Sequence, residues 1–600
     1  MAQYDTTWDL DSIFKGGSTS PELKTYIAKF QANLNELKEL VDRLAPLDSP
    51  EKVQELSLVL ELLDSTTKQL REIGAFASCL TAQDISDHEA KILSGKRSEL
   101  GAAFASVMAK LDEKFLQVDD AVWKGMLEQP SLEPVAFVLD ERRSQAKEKL
   151  SIEQEILIND LSVNGYAAWN QMYASLVGKM SIEHTEDGQV KKLSMGQAAN
   201  RLSTPDRAAR KEVSGKISAA WQEDADLFAE TLNNLAGFRL QTYKHRGWDN
   251  VLKEPLELNR MSEKTLDTMW GAISNQKAPF VKYLKRKAEL LGLEKLDWHD
   301  LNAPLTKSTQ KVSYDDAAAF ILEQFGKFSP QMAEFSKKAF EKRWIEAEDR
   351  AGKRPGGFCT SFPDSEQTRI FMTFSGSATN ISTLAHELGH AYHQHVMNDT
   401  EALNQRYAMN VAETASTFAE MVVSDAAVKN ASSDEEKIAL LEDKIKRSIA
   451  FFMNIHSRFL FEKRFYEERK NGAVSADRLN ELAVEAQKEA YCEELASYSP
   501  TFWASTLHFH ITGVPFYNFP YTFGYLFSQG IYAKALETEG GFEESYNALL
   551  RDTGRMTVEG LAQKHLGVDL EEAAFWEDAI AVCVKDVEEF LELTEVAVKK

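Results

Sequence analysis

The sequence predicts a mainly α-helical protein, and three observations carry that prediction. Glycine (30) and proline (15) are scarce in 600 residues, too few to punctuate a chain of many short strands. Apolar residues recur at intervals of three and four along most of the chain, the period of a helix with one buried face. Two stretches switch to strand-like patterns, around 181–195 and 345–380, and each reads as a small β element within a helical body.

The elements follow in order. Ile27, Phe30, Leu34, Leu37, Val41 and Leu44 mark one stripe of a helix over residues 26–44. Ser49 as N-cap and Pro50 in the first helical position open the next. Comparable helices continue to about 175 as an antiparallel set; a coiled-coil module would need a longer heptad run than they carry. "KMSIEHTEDGQVKKLSM" alternates on both sides of Asp187-Gly188, a hairpin signal. Thr204-Pro205-Asp206 starts a further helix. We therefore divide the chain near 200: residues 1–200 as a helical domain with the hairpin at 181–195, and residues 201–600 as a second, catalytic helical domain. Within the latter, "RAGKRPGGFCTSFPDSEQTRIFMTFSGSATN" holds Gly and Pro breakers, a strand from Arg369 to Phe374, and a helix cap at Thr379 or Asn380. The edge of that strand suits an extended peptide. The Gly356-Gly357 loop reads equally as a lid or a plain turn. Helices resume from 435, apart from an aromatic-rich segment at 498–525.

Composition excludes several classes. Lys+Arg 69 against Asp+Glu 93 gives a net charge of −24, which repels nucleic-acid phosphates and anionic lipid. No basic region followed by an apolar run opens the chain, and no stretch nears 18 apolar residues, so neither a signal peptide nor a membrane span is expected. Four dispersed cysteines without a CxxC pair suit a reducing, cytoplasmic setting.

"TLAHELGHAYHQH", residues 383–395, carries four of the chain's 12 histidines. His386 and His390 form H-E-x-x-H: at i and i+4 they lie about 40° apart on adjacent turns, so both imidazoles reach one ion. Glu387 sits beside that face and can act on a metal-bound water without being a ligand. His393 shares the face of His386 but lies two turns on, about 10 Å away, too far for the same ion. His395 reads as a bystander. A catalytic zinc needs a third protein ligand and an open fourth position. The metzincin pattern requires Gly at 393 and His at 396, where this chain has His393 and Val396. A glutamate from a following helix is the other solution. "NQRYAMNVAETASTFAEM" supplies Glu413, 23 residues after His390, a span that suits a helix end, a loop and a return. Glu401 is too close to return, and Glu420 suits a supporting or structural role. A di-iron site would need a second E-x-x-H, and the chain has none.

With these residues in view, the chain resembles the oligoendopeptidase F branch of the thimet-oligopeptidase-like zinc metallopeptidases. The matching pieces are "TWDLDSIF", "GGFCTSF", "FMTFSGSATNISTLAHELGHAYH", "NVAETASTFAEM" and "LHFHITGVPFYNFPYTFGYLFS", in the expected order across nearly the whole length. The resemblance implies a multi-helical, zincin-type metallopeptidase with a small β element beside the active-site helix and a deep channel for short peptides. It implies one zinc ion on His386, His390 and Glu413, with Glu387 as general base. The family's late histidine and tyrosines map onto His508, Tyr517 and Tyr521; this chain has "ITGV" inserted between them and Phe519 where many relatives have tyrosine, which keeps Tyr525 in contention. Phenol and imidazole donors are the groups an oxyanion needs; His510 reads as a neighbour. The expected activity is endopeptidase cleavage of short oligopeptides. The alternatives are a helical zinc carboxypeptidase or dipeptidase, and a peptide-binding protein with a structural zinc.

Overall fold

Ser20 and Pro21 start the first long helix: the serine hydroxyl accepts from Leu23 N–H at 3.2 Å and proline takes the first helical position. The helix is Pro21–Arg43, beginning before the apolar stripe does. Ser49 precedes Pro50 as expected, but Pro50–Lys52 is one 3-10 turn, and the α-helix proper is Val53–Gln83. His88–Leu116 follows, capped by the Asp87 carboxylate. Leu34, Leu37 and Val41 of the first helix, Leu56, Leu63 and Ile73 of the second, and Val107 and Leu111 of the third close one core. The computed structural model that shows this describes residues 3–186, 188–305, 311–537 and 541–598.

Five short strands occur among the described residues: β1 (Ser181–Glu186), β2 (Gln189–Ser194), β3 (Ile345–Glu346), β4 (Phe358–Phe362) and β5 (Gln367–Phe371). β1 and β2 pair antiparallel from Ser181↔Ser194 to Glu186↔Gln189. Gly188 at φ +75° supplies the left-handed turn position; Asp187 lies outside the described residues. The other three form a sheet in the order β3-β5-β4, parallel then antiparallel. This corrects the expected strand at Arg369–Phe374. β5 is shifted toward the N-terminus and is central, and Met372 N and Phe374 N continue the pairing to Glu346 O (2.8 Å) and Ala347 O (2.9 Å). Both of its sides are taken, so an added chain could pair only at the outer strands, β3 and β4, of which β4 is the longer.

The opening "TWDLDSIF" is packed onto this sheet. Trp8, Leu10 and Phe14 join Phe76, Cys79, Phe362 and Phe371 in a second core. Arg369, with no exposed surface, donates to Asp9 O (2.7 and 3.1 Å) and Ser12 Oγ (2.9 Å). A buried guanidinium is tolerable only with such acceptors.

The chain forms two compact units, each built from three segments. The first comprises Met1–Glu148, Gln310–Ala426 and Lys534–Gly567; the second comprises Lys149–Thr309, Ala427–Ala533 and Val568–Lys600. The boundary read near 200 falls inside the second unit's first segment, at the Arg201–Ser203 turn. Beyond it Asp206 caps Arg207–Glu223, accepting from Ala208 N (2.9 Å). In the second unit the closing helix Ala573–Val598 packs on Glu263–Asn275, Ala278–Leu290 and Asp434–Ile449. Two helices of this unit contain a π-turn, at Val163–Ala167 and Ala450–Asn454. Among the described residues no helix is long and apolar enough to cross a membrane.

Candidate metal centre

The helix Ala378–Met397 begins in a capping box: Asn380 N donates to Ser377 Oγ (3.2 Å), and Asn380 Oδ1 accepts from Ser377 N (3.3 Å). Ser377 is therefore the cap, two residues before Thr379 and three before Asn380, the caps expected from the sequence. Two turns on, the His386 and His390 rings face each other with centroids 4.9 Å apart. The chain returns through Met409–Ala412 to a second helix, Thr414–Lys429, with Glu413 at the junction.

Gly389 decides how closely these helices approach. A Cβ there would lie 2.5 Å from Ala415 O and 2.6 Å from Ser416 Cα, both backbone atoms that cannot swing away. Gly389→Ala is therefore expected to destabilise the protein by about 1–3 kcal/mol through overpacking. Helix propensity alone would make the same change stabilising, so the sign of the Tm shift checks the contact.

At the junction, Glu413 Oε2 lies 3.2 Å from His386 Nε2 and 3.5 Å from His390 Nε2. One ligand atom from each of the three residues falls within 4.8 Å of the others. Glu420, two turns further, sets its Oε2 3.3 Å from His386 Nδ1. Ser416 Oγ donates to Glu413 Oε2 (2.8 Å), and His390 is hydrogen-bonded to the Ala412 carbonyl. Burial opposes charge on His386, but Glu413 and Glu420 overcome it and raise the imidazole to about 10. Burial, then the neighbouring His386 cation, pulls His390 down to about 4. Burial works against the Glu413 charge, yet the histidines hold its carboxyl at about 2. The two carboxylates thus favour positive charge on His386, while His390 is held neutral. Glu420→Gln should weaken His386 support and lower zinc affinity about 10- to 100-fold, read by competition with a chromophoric chelator.

Glu387 is 7% exposed, and its Oε2 is buried without a hydrogen-bond partner. Burial pushes its carboxyl up to about 7. Its Oε1 lies against Gly357, where an added Cβ would come within 3.4 Å, and Gly356 holds φ +93°. The "GGFCTSF" glycines therefore bring backbone against Glu387, a contact that loop composition did not reveal. His393 is fully buried, 2.8 Å from Thr553 Oγ1 and stacked on Tyr407, so it serves packing. His395 stacks on Phe335. A second acidic group, Asp297, His299 and Asp300, has metal-like spacing. Arg207 and Arg210 already neutralise its carboxylates at 2.7–3.0 Å.

All four residues of the H-E-x-x-H and Glu413 set belong to the first unit; His508, Tyr517 and Tyr521 belong to the second. There, Asn518 Oδ1 accepts from His508 Nδ1 (2.6 Å) and from Arg458 Nη1 (3.1 Å). The His508 ring stands 4.6 Å from that of Tyr517, and Tyr521 OH donates to Tyr517 OH at 3.3 Å. His510 is fully buried and stacked on Tyr173, a core residue. The Tyr525 hydroxyl is buried with Ser448 Oγ (2.9 Å) and Cys583 Sγ (3.5 Å), both core partners.

The model of Peptidase family M3 matches residues 201–582, nearly two thirds of the chain. The chain belongs to peptidase family M3. A second model, Oligopeptidase F, matches residues 114–181 of the same M3 peptidase. M3 is a zinc metallopeptidase family, and this member is a metallo-oligopeptidase that hydrolyses short peptides. The M3 peptidase is 23% identical over 604 residues to an oligoendopeptidase F homolog of Lactococcus lactis, covering 98% of this chain and 97% of that one. It is 22% identical to oligopeptidase PepF of Bacillus subtilis, covering 98% and 87%. Its fold matches oligoendopeptidase-F from Enterococcus faecium with a TM-score of 0.67 at 19% identity, over 95% and 99% of the two chains. A structure described as a peptidase from Chlamydophila abortus matches with a TM-score of 0.84 at 19% identity, over 98% of each. The mainly α-helical class expected of the sequence is that of these solved structures.

Proposed function

We propose that this M3 peptidase is a zinc endopeptidase that cuts internal bonds of short peptides, with one zinc ion on His386, His390 and Glu413. The observation that carries the reading is the convergence of three ligand atoms within 4.8 Å beside Glu387, a buried carboxylate with a partnerless oxygen. Two imidazoles and one carboxylate fit zinc, and a three-residue donor set leaves a position for reactants. When bound, zinc supplies Lewis acidity toward the scissile carbonyl and lowers the pKa of water.

Glu387 takes the proton of the attacking water and later delivers it to the leaving amine. Burial brings its carboxyl toward neutrality, where both transfers are feasible; a cation on the adjacent ligands draws that value down again. Tyr517 and Tyr521 are assigned to the developing oxyanion, as phenol donors. His508 holds its Nδ1 hydrogen on Asn518, so it donates from Nε2 only as imidazolium. β4, the longer of the two outer strands, suits an extended substrate paired through its backbone. Four free cysteines and a charge of −24 fit a cytoplasmic enzyme of small peptides, without nucleic-acid or membrane partners.

A fluorogenic peptide blocked at both ends tests the reading. Internal cuts, lost on chelation and restored by zinc, are expected. A carboxypeptidase or dipeptidase would leave the blocked peptide whole, and a peptide-binding protein with a structural zinc would bind it uncut.

A further inference from the structure

The second unit holds a cavity of about 520 Å³, within the roughly 300–1,000 Å³ of small-molecule sites. Its wall includes Arg458, Lys446 and His508 but no aspartate or glutamate. In a chain with 93 acidic residues against 69 basic ones, that is a local inversion of charge.

Lys446 is already paired with Glu442 (3.0 Å) and Asp443 (3.8 Å). Arg458 is different. Its Nε donates to Asn454 Oδ1 (2.9 Å), its Nη1 donates to Asn518 Oδ1 (3.1 Å) beside the His508 ring, and its carbon lies over the Phe502 ring at 5.7 Å. All of these partners are neutral amides or rings. Among the described residues Arg458 makes no ion pair, and its Nη2 makes no hydrogen bond. The π-turn Ala450–Asn454 brings Asn454 to this wall; such turns recur at functional sites. Tyr283, on the same wall, is 1% exposed, and its hydroxyl has no partner. An arginine oriented by neutral groups, with one N–H edge open, suits a carboxylate.

We propose that this cavity is a carboxylate subsite for the peptide substrate, with Arg458 as its counter-ion. The proposal rests on the peptidase reading for the nature of the ligand. The carboxylate comes either from the peptide's C-terminus or from an Asp or Glu side chain.

The zinc-loaded full chain is assayed on matched fluorogenic peptides: free acid against C-terminal amide, and, in the amide series, Glu against Gln at successive positions. Removing the recognised carboxylate should raise KM about 10- to 100-fold, the worth of a charge-assisted hydrogen bond, with little change in kcat. The pair that responds identifies the source. Arg458→Gln should erase the difference. Asn454→Asp should erase it too, because it supplies Arg458 with a counter-ion without shortening a side chain, and it serves if Arg458→Gln does not fold. Equal KM across both pairs in the wild type, or a preference that survives in both variants, overturns the proposal. If no peptide is cut, the peptidase reading fails separately. Calorimetry of the wild type with an N-acetyl dipeptide acid and its amide then decides the subsite: tighter binding of the acid supports it, and equal binding refutes it.

Discussion

Glu387→Gln should keep its zinc and its fold while kcat falls about 10²–10⁴-fold, the usual contribution of a positioned general base. Glutamine matches the volume of glutamate and fits the same space against Gly357, so the proposed ligands His386 and His390 on either side are undisturbed. What it lacks is a site that can accept a proton. Glu387 is also poorly solvated, with one carboxylate oxygen buried and unpartnered. That arrangement costs stability, about 1–3 kcal/mol for an unmet buried polar group, and does nothing for the core. Single-turnover cleavage with metal analysis and thermal melting on the same sample separates the roles. Turnover near the wild-type rate would remove Glu387 from the proton transfers; a large loss of Tm would make it structural.

His390→Ala should lose the metal itself. Loss of an outer partner of a ligand already costs about 10–100-fold in affinity, so loss of one of three ligands should exceed that and leave the protein zinc-free after dialysis. The helix should survive, because its capping box lies at Ser377 and Asn380 and alanine is the best helix former. Unchanged far-ultraviolet circular dichroism with negligible zinc and negligible activity is the expected triple result. Full zinc occupancy in this variant would show that His390 is not a ligand.

Much of this was legible in the residues, for identifiable reasons. Helices with a single apolar stripe announce themselves locally, and the i, i+4 geometry of His386 and His390 is a property of any helix. Glu413 was reachable because only a few acidic residues follow within a plausible return. The strand was misplaced because Arg369, polar in sequence, is buried in its centre and satisfied by Asp9 O and Ser12 Oγ, partners about 360 residues away. The helix cap was placed late because Ser377, Thr379 and Asn380 are all competent caps, and only backbone direction chooses among them. Arg458 leaves no pattern at all, since it meets His508 and Asn518 of the late motif only through the fold.

The interleaving of the two units bears on how the chain is made. The helix carrying His386 and His390 is backed by Phe542–Asp552, where Leu550 and Thr553 hold the His393 ring. Those residues leave the ribosome some 150 positions later, and the second unit waits for Val568–Lys600. Neither unit can finish its core before its third segment is made, so the nascent chain exposes unpaired apolar helix faces while residues 427–533 are added. A chain stopped before Lys534–Gly567 lacks the helix that backs His386 and His390, and it should be aggregation-prone rather than partly active.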